Sequence, residues 1–390
     1  MKDKQVEKLI KQEGKRQRGV TNLIASENYV SNDVLEALGS KLTNKYAEGY
    51  SALRYYGGNK ISDKIEDLCK TRALKLFGLS PKKWAVNVQA LSGSPANLAV
   101  YLGLVPLKGK IMGMSLTDGG HLTHGYKVSA TGKFWKAVQY GVDPKTERID
   151  YEALKKMAKK EKPDIIVAGF TAYPRAVNYK KFRDIADASG AYLMVDMSHT
   201  AGLIAGRALS SPFLYADVVT TTTHKTLRGP RSALIFSRID SRELPKKIDK
   251  AVFPGLQGGP HLNQIAAVAV TLKEAVSPSY RRYAKQVVKN AKALSEELKK
   301  LGWRIVSGGT DTHLILVDTW MGGKGISGGE ASDRLERVGI IVNKNTIPGE
   351  TRRPMDPSGV RIGTAAETTL GRTETDMIRI ARRIDKVLKK

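Results

Sequence analysis

Residues 216–230, ADVVTTTTHKTLRGP, read as a buried strand that delivers a single lysine, Lys225, to a turn. Val218, Val219 and the threonines after them are β-branched and suit a pleated, partly buried strand, and Gly229-Pro230 breaks it soon afterwards. Lys225 is therefore expected at the strand's end. Desolvation there disfavours the ammonium form, and a charged His224 beside it would add to the effect, leaving an amine free to attack a carbonyl. In a chain with 65 Lys plus Arg, a solvated loop lysine is the competing reading, and partners elsewhere must decide.

The first partner is AYLMVDMSHTAGL at 191–203, an apolar strand that ends in Asp196, with His199 three residues on. In an open α/β sheet ligands gather at the carboxyl ends of the strands, so Asp196 and Lys225 would face one crevice. A buried carboxylate needs a cation or a cap. A pyridinium nitrogen is one such cation, and an Asp there lets pyridoxal phosphate act as an electron sink; a helix cap or a buried salt bridge is the other reading.

A phosphate site is the third requirement. VNVQALSGSPANLAVYLGLV at 86–105 reads as strand, Ser-Gly-Ser turn and helix, with Ser94 as N-cap and Pro95 at the first helical position. Free N–H groups and the helix dipole favour an anion there, Ser92 and Ser94 add hydroxyl donors, and Gly93 lets the backbone approach. Taken alone, the motif also fits a capped helix without a ligand.

Together these segments resemble the fold-type I pyridoxal-phosphate enzymes, and further motifs narrow the resemblance to the serine hydroxymethyltransferases. LIASENY (23–29), LTNKYAEGY (42–50), RYYGGN (54–59), GGHLTHG (119–125), YGVDP (140–144), VDMSH (195–199), TTTTHKTLRGPR (220–231), VFPGLQGGP (252–260), VNKNTIPG (342–349) and SGVRIGT (358–364) follow that family's order. The resemblance implies an aspartate-aminotransferase-like α/β fold: a large domain with a mainly parallel, seven-stranded sheet, and a smaller C-terminal α+β domain.

It also implies roles. Lys225 would hold pyridoxal phosphate as a Schiff base, with Asp196 on the pyridine nitrogen, His121 stacked on the ring, and Ser92, Gly93 and Ser94 on the phosphate. Thr171 stands where the family usually has a serine near the phenolic oxygen, and His224, Tyr46, Gly258 and Gly259 would complete the cofactor shell. Arg361 would take the amino acid's carboxylate through its planar fork, with Ser26, Tyr56 and His199 around the substrate. Glu48 would act beside the one-carbon unit in its acid form, favoured by burial next to tyrosines. Folate contacts map onto Glu48, Leu116, Gly119, Gly120, Leu122 and Asn345. The implied reaction moves the hydroxymethyl carbon of serine to tetrahydrofolate, giving glycine and 5,10-methylenetetrahydrofolate. The implied assembly is an obligate homodimer, alone or paired into a tetramer, in which Tyr46 to Tyr56 and Gly258-Gly259 reach the partner's cofactor pocket.

The chain departs from the family in places. SAL (51–53) replaces a Pro-Gly-Lys-like turn, LSGSP (91–95) replaces HSGSQ, and TAAETTLGR (364–372) lacks the arginine of the usual TTRG, where Leu370 stands and Arg372 is the nearest substitute. Asp118 falls inside the folate-facing loop. A folate-independent threonine aldolase or transaldolase using the same lysine is the alternative within the enzymes.

Composition bounds the rest. With 390 residues and 41% hydrophobic content, the chain suits a large and a small domain, and we expect the boundary at Ser277-Pro278: an N-terminal arm and cofactor domain over 1–277, and a small domain over 278–390. Strand-like runs at 164–169, 191–196, 216–223 and 232–236 alternate with helical patterns. No apolar run approaches a membrane span, the charged opening helix has no signal core, and the single cysteine, Cys69, excludes an intrachain disulfide; a cytoplasmic location is expected. His121 and His124 lack a third ligand at suitable spacing, so stacking or packing is expected there and no metal. The glycine-rich stretch 322–329 lacks P-loop spacing and reads as a loop. The net charge of +27 is spread over KKMAKKEK (155–162), RRYAKQVVKNAK (281–292) and RIARRIDKVLKK (379–390). It leaves a reading from another class, a basic nucleic-acid-binding protein on this scaffold, with non-specific attraction to phosphate backbones.

Overall fold

The computed structural model describes residues 1–389. Seven strands make the main sheet: β1 (Trp84–Asn87), β2 (Lys110–Met114), β3 (Lys136–Tyr140), β4 (Ile165–Gly169), β5 (Tyr192–Asp196), β6 (Val218–Thr222) and β7 (Ala233–Arg238). Their spatial order is β1-β7-β6-β5-β4-β2-β3. Only β7 runs against the others, antiparallel to both β1 and β6. The strand-like runs read from sequence are β4 to β7, each trimmed or extended by a residue or two.

Why these segments form central strands is clear from their two faces. Side chains alternate across a strand, and in β6 Val219 joins the core on one face of the sheet while Val218 joins the core on the other. Helices cover both faces, so β4 and β6 are buried along their whole length, as expected of a mostly parallel sheet. Cys69 is fully buried in the helix Lys60–Leu76, and burial pushes its thiol up.

A second sheet, antiparallel, comprises β8 (Arg304–Ile305), β9 (Leu314–Asp318), β10 (Asn343–Asn345) and β11 (Gly359–Gly363), in the order β8-β9-β11-β10. It shares a separate core with the helices Pro278–Lys300 and Glu374–Leu388. Leu23 lies in that same core, and the short strand Thr21–Asn22 pairs with Ile340–Ile341. The N-terminal segment is thus stitched to the C-terminal sheet before the chain enters the main sheet. The opening helix, Lys4–Gly19, has no buried residue. In the glycine-rich stretch, the loop ends at Ser327, whose side chain caps a helix that begins at Gly328. Among the described residues, no helix is long and apolar enough to cross a membrane.

Candidate active site

β6 ends at Thr222 and the chain turns through Lys225. The turn is pinned from three sides. Asn28 donates to the Lys225 carbonyl at 3.0 Å, and the Tyr280 and Tyr283 hydroxyls donate to the Thr226 carbonyl at 2.9 and 3.2 Å. The Arg228 guanidinium lies 4.2 Å from the Tyr283 ring centroid, a cation–π contact. The threonines that suit a strand by shape also work by their hydroxyls: Thr220 donates to Asn97, Thr223 to the Pro230 carbonyl, and Thr226 to the His199 carbonyl.

Lys225 Nζ donates to Thr222 Oγ1 at 2.9 Å and makes no ion pair among the described residues. Burial, followed by the charges of Arg361 and Arg231, outweighs the opposing pull of Asp196 and brings the amine down to about 8. A neutral, nucleophilic amine is therefore accessible near physiological pH. His224 contributes nothing to this, because burial holds it neutral at about 3.

Asp196 closes β5. Its Oδ2 accepts from Asn97 Nδ2 at 2.8 Å and faces His124 Nε2 at 3.2 Å, while Oδ1 accepts from the Ser198 N–H at 3.0 Å. Desolvation alone would raise this carboxyl, yet the hydrogen bonds it accepts, chiefly from His124 and then from Ser198, hold it well below the usual range. It is not a helix cap, and among the described residues it pairs with no Lys or Arg. Gly93, Asn97, His121, His124, Thr171, Asp196, His199, Thr222 and Lys225 line one pocket.

The helix after β1 spans Gly93–Leu104, with Ser92 rather than Ser94 as N-cap and Pro95 at the third helical position. Proline is tolerated throughout the first turn because those N–H groups lack intrahelical partners anyway. The Ser92 hydroxyl makes no cap bond, so it remains available as a donor. A Cβ on Gly93 would stand 2.6 Å from the Thr222 methyl, so the cradle admits only glycine.

Arg361, on β11, is buried yet has no acid partner among the described residues. It donates to the Thr171 carbonyl at 2.9 Å and to Asn343 Oδ1 at 2.9 Å, and burial lowers it to about 10. A desolvated guanidinium without a carboxylate is costly, and it leaves this fork ready for one. His199 Nδ1 meets His313 Nε2 at 3.2 Å in a stacked pair. Burial and then the Lys225 charge keep His199 neutral.

Not every expected residue gathers here. Tyr46, Glu48 and Tyr56 form their own cluster: both tyrosine hydroxyls donate to the Glu48 carboxylate, and the rings lie 6.1 Å apart. Tyr46 packs on Gly259, where a Cβ would stand 3.2 Å from its ring, and Glu48 lies against Gly258. None of these five lines the Lys225 pocket. Ser26 and His224 line a neighbouring cleft with Arg231, because the pinned turn points Lys225 and His224 to opposite sides. The loop carrying Leu116, Gly119 and Gly120 meets the segment after β10 through a Thr346 to Thr117 contact at 3.4 Å, which brings it near Asn345, and Leu122 is exposed. Asp118 turns inward to accept from Ser115 at 2.6 Å, so its carboxylate does not face outward from that loop. Arg372 is no free substitute for the missing arginine, since it donates to the buried Glu367 at 3.2 Å.

Asn97, His124, His313 and Asn343 were not singled out for these contacts from the sequence. Asn97 left a signal: it lies four residues after Gly93 and so on the same helix face.

The donor set fits pyridoxal phosphate: a free first helical turn with serine hydroxyls for a phosphate, a carboxylate for a ring cation, an imidazole beside it, and a low-pKa amine for an aldehyde. Comparison with known proteins agrees. The family model described as serine hydroxymethyltransferase matches residues 1–384. The chain is 49% identical over 402 residues to a Schizosaccharomyces pombe protein named probable serine hydroxymethyltransferase, cytosolic, covering 99% of this chain and 85% of that one. It is 49% identical over 403 residues to the cytosolic serine hydroxymethyltransferase of Saccharomyces cerevisiae, covering 99% and 85%, and 50% identical over 394 residues to a Caenorhabditis elegans protein named serine hydroxymethyltransferase, covering 97% and 77%. Matched along nearly its whole length, and not merely over the lysine turn, the chain belongs to the serine hydroxymethyltransferase family.

Proposed function

We propose that the chain transfers the hydroxymethyl carbon of serine to tetrahydrofolate, reversibly, with pyridoxal phosphate joined to Lys225. The observation that carries this is a lysine brought to about 8 in the same pocket as Asp196 and Gly93. The family assignment favours this reading over an aldolase and over a nucleic-acid-binding protein.

When bound, the cofactor supplies the electron sink. The chain's residues would do the rest. Ser92, Gly93 and Ser94 would hold the phosphate, Asp196 would keep the ring nitrogen protonated, and His121 would cover a face of the ring. Arg361 would orient the substrate carboxylate through two parallel hydrogen bonds. Lys225 would exchange protons at its amine, with His199 and Thr171 bordering the same space. Glu48, flanked by Tyr46 and Tyr56, would hold the proton used at the one-carbon unit, and Leu116, Gly119, Gly120, Leu122 and Asn345 would receive the pterin.

Because Tyr46, Glu48, Tyr56, Gly258 and Gly259 stand apart from the Lys225 pocket, we assign them to the pocket of a second copy, which makes a homodimer the working unit. We further propose two domains, 1–277 and 278–390, and extend to this chain the cytosolic location carried in the names of the two yeast relatives.

The test is the visible spectrum of the purified protein with pyridoxal phosphate, then with glycine, then with tetrahydrofolate, using Lys225→Ala as control. A cofactor band that gives way to a strong new long-wavelength band only when both ligands are present is the expected result. A band indifferent to folate would point to an aldolase, and no band at all would overturn the reading.

A further inference from the structure

Asn97 is buried, one turn beyond the Ser92–Ser94 segment, and three of its four side-chain hydrogen-bonding valences are used. Its two amide hydrogens go to Asp196 Oδ2 and to Thr123 Oγ1, both at 2.8 Å, and its carbonyl accepts from Thr220 at 2.8 Å. The orientation of the amide follows from chemistry: an ionised carboxylate only accepts, so the nitrogen must face Asp196. The Thr123 hydroxyl, having accepted from Asn97, has one hydrogen to give, and His121 Nδ1 stands 2.7 Å away. The Thr123 backbone N–H also points at that nitrogen, at 3.2 Å.

Two donors therefore converge on Nδ1 of His121. A neutral imidazole carries one hydrogen, and burial keeps this ring neutral down to about 4. Nδ1 must then be bare and the hydrogen must sit on Nε2, which makes no hydrogen bond among the described residues. His124 is fixed in the same sense. Its Nδ1 accepts from the His121 N–H at 3.3 Å, which leaves Nε2–H to donate to Asp196. The charged and titratable groups facing His121 are His124 on its own loop, Asp196 at the end of β5, and Lys225 beyond β6.

We propose that Asn97 and Thr123 are positioning residues, which act by holding His121 in its neutral Nε2–H form and by tying that ring to the Asp196 carboxylate through a single amide. The proposal rests on the reading of this pocket as the cofactor site. One side chain then sets both the residue that faces the cofactor ring and the partner of its nitrogen. A purely structural role for the network would satisfy buried groups without dictating which nitrogen of His121 carries the hydrogen.

The test is ¹⁵N NMR of histidine-labelled full-length protein, with and without pyridoxal phosphate. The chain has 6 histidines, and His121→Asn identifies the resonance of interest. The expected result is Nδ1 in the unprotonated range and Nε2 in the protonated range, in both forms. Thr123→Val removes the hydroxyl donor and leaves only the backbone N–H at Nδ1; it should shift the His121 nitrogen resonances and lower kcat by about tenfold with KM little changed, the scale seen when an orienting hydrogen bond is lost, and Thr123→Ser should restore both. If the valine variant does not fold, Asn97→Ala should shift the His121 nitrogens and the Asp196 carboxyl carbon together. A wild-type ring protonated on Nδ1, or a folded variant with an unchanged His121 spectrum, would overturn the proposal. Because the tautomer is read without cofactor as well, failure to bind pyridoxal phosphate would sink the proposed function and leave this result standing on its own.

Discussion

The Lys225 pocket and the Glu48 cluster are built in opposite ways. Around Lys225 the side chains beneath the pocket are tied to one another, and Asp196 alone accepts three hydrogen bonds. Around Glu48, Tyr46 and Tyr56 remain 60% and 42% exposed, and among the described residues the carboxylate has only these two hydroxyls as side-chain partners. The first region sits at the ends of buried strands, and one chain brings its Lys225, Asp196 and Gly93 together. The second rides on a two-strand hairpin, Gly49–Tyr50 with Leu53–Arg54, and is anchored only from beneath. Arg54 provides that anchor by donating to the Ala47 and Gly49 carbonyls and pairing with Asp63 and the fully buried Glu66. A rigid base under an exposed tip is what a segment needs if it is to complete a site on another molecule.

The largest expected effect lies in the first region. Lys225→Ala should cost at least about 10³-fold in glycine formation while the fold is retained, because it removes the activated amine; activity within tenfold of wild type would show that another group does its work. Asp196→Asn should cost on the order of 10²-fold, as an electrostatic partner is neutralised without loss of shape. Steady-state rates at saturating serine would measure it.

Mixing bears on the comparison directly. Lys225→Ala and Glu48→Gln proteins, each inactive, should recover roughly a quarter of wild-type activity when co-refolded one to one, since half of random dimers are mixed and each mixed dimer carries one intact site. No recovery would place Glu48 and Lys225 in the same subunit's site, or Glu48 in none.

A pH experiment sharpens the first region further. An amine lowered from the usual lysine value to about 8 is charged below that pH and free above it. Capture of pyridoxal phosphate by cofactor-free protein should therefore accelerate as pH rises through about 8 and level off beyond, and a rate still climbing past pH 10 would mean that Lys225 is not desolvated.

The smallest effect belongs to the hairpin. Ala52 adopts a left-handed φ of 62° in the turn, where an L residue is strained by about 1–2 kcal/mol. Ala52→Gly should accordingly stabilise the protein by roughly 0.5–1 kcal/mol after the backbone-entropy cost of glycine, read from denaturant midpoints, with no change in rate.

Much of this was legible in the chain itself. Apolar or β-branched runs marked β4 to β7, since central strands are covered on both faces. Lys225, Asp196 and the Ser92–Ser94 turn could be placed together because strand ends in such a sheet share one rim. Other features were not legible. Ser92 displaced Ser94 as N-cap because where a helix begins depends on how the strand before it enters. His224 lies in the next cleft because the side a pinned turn presents is set by Asn28, Tyr280 and Tyr283, residues remote from it in sequence.

The sequence by itself thus determined which chemical groups are present and the order in which strands and helices deliver them, because periodicity and turn residues are local properties. Only the tertiary structure decided which nitrogen of His121 is bare, that Arg361 is buried with no acid partner among the described residues, that Asp118 turns inward, and that Glu48 stands apart from Lys225. Hydrogen-bond partners and desolvation are set by residues that meet in space from distant parts of the chain.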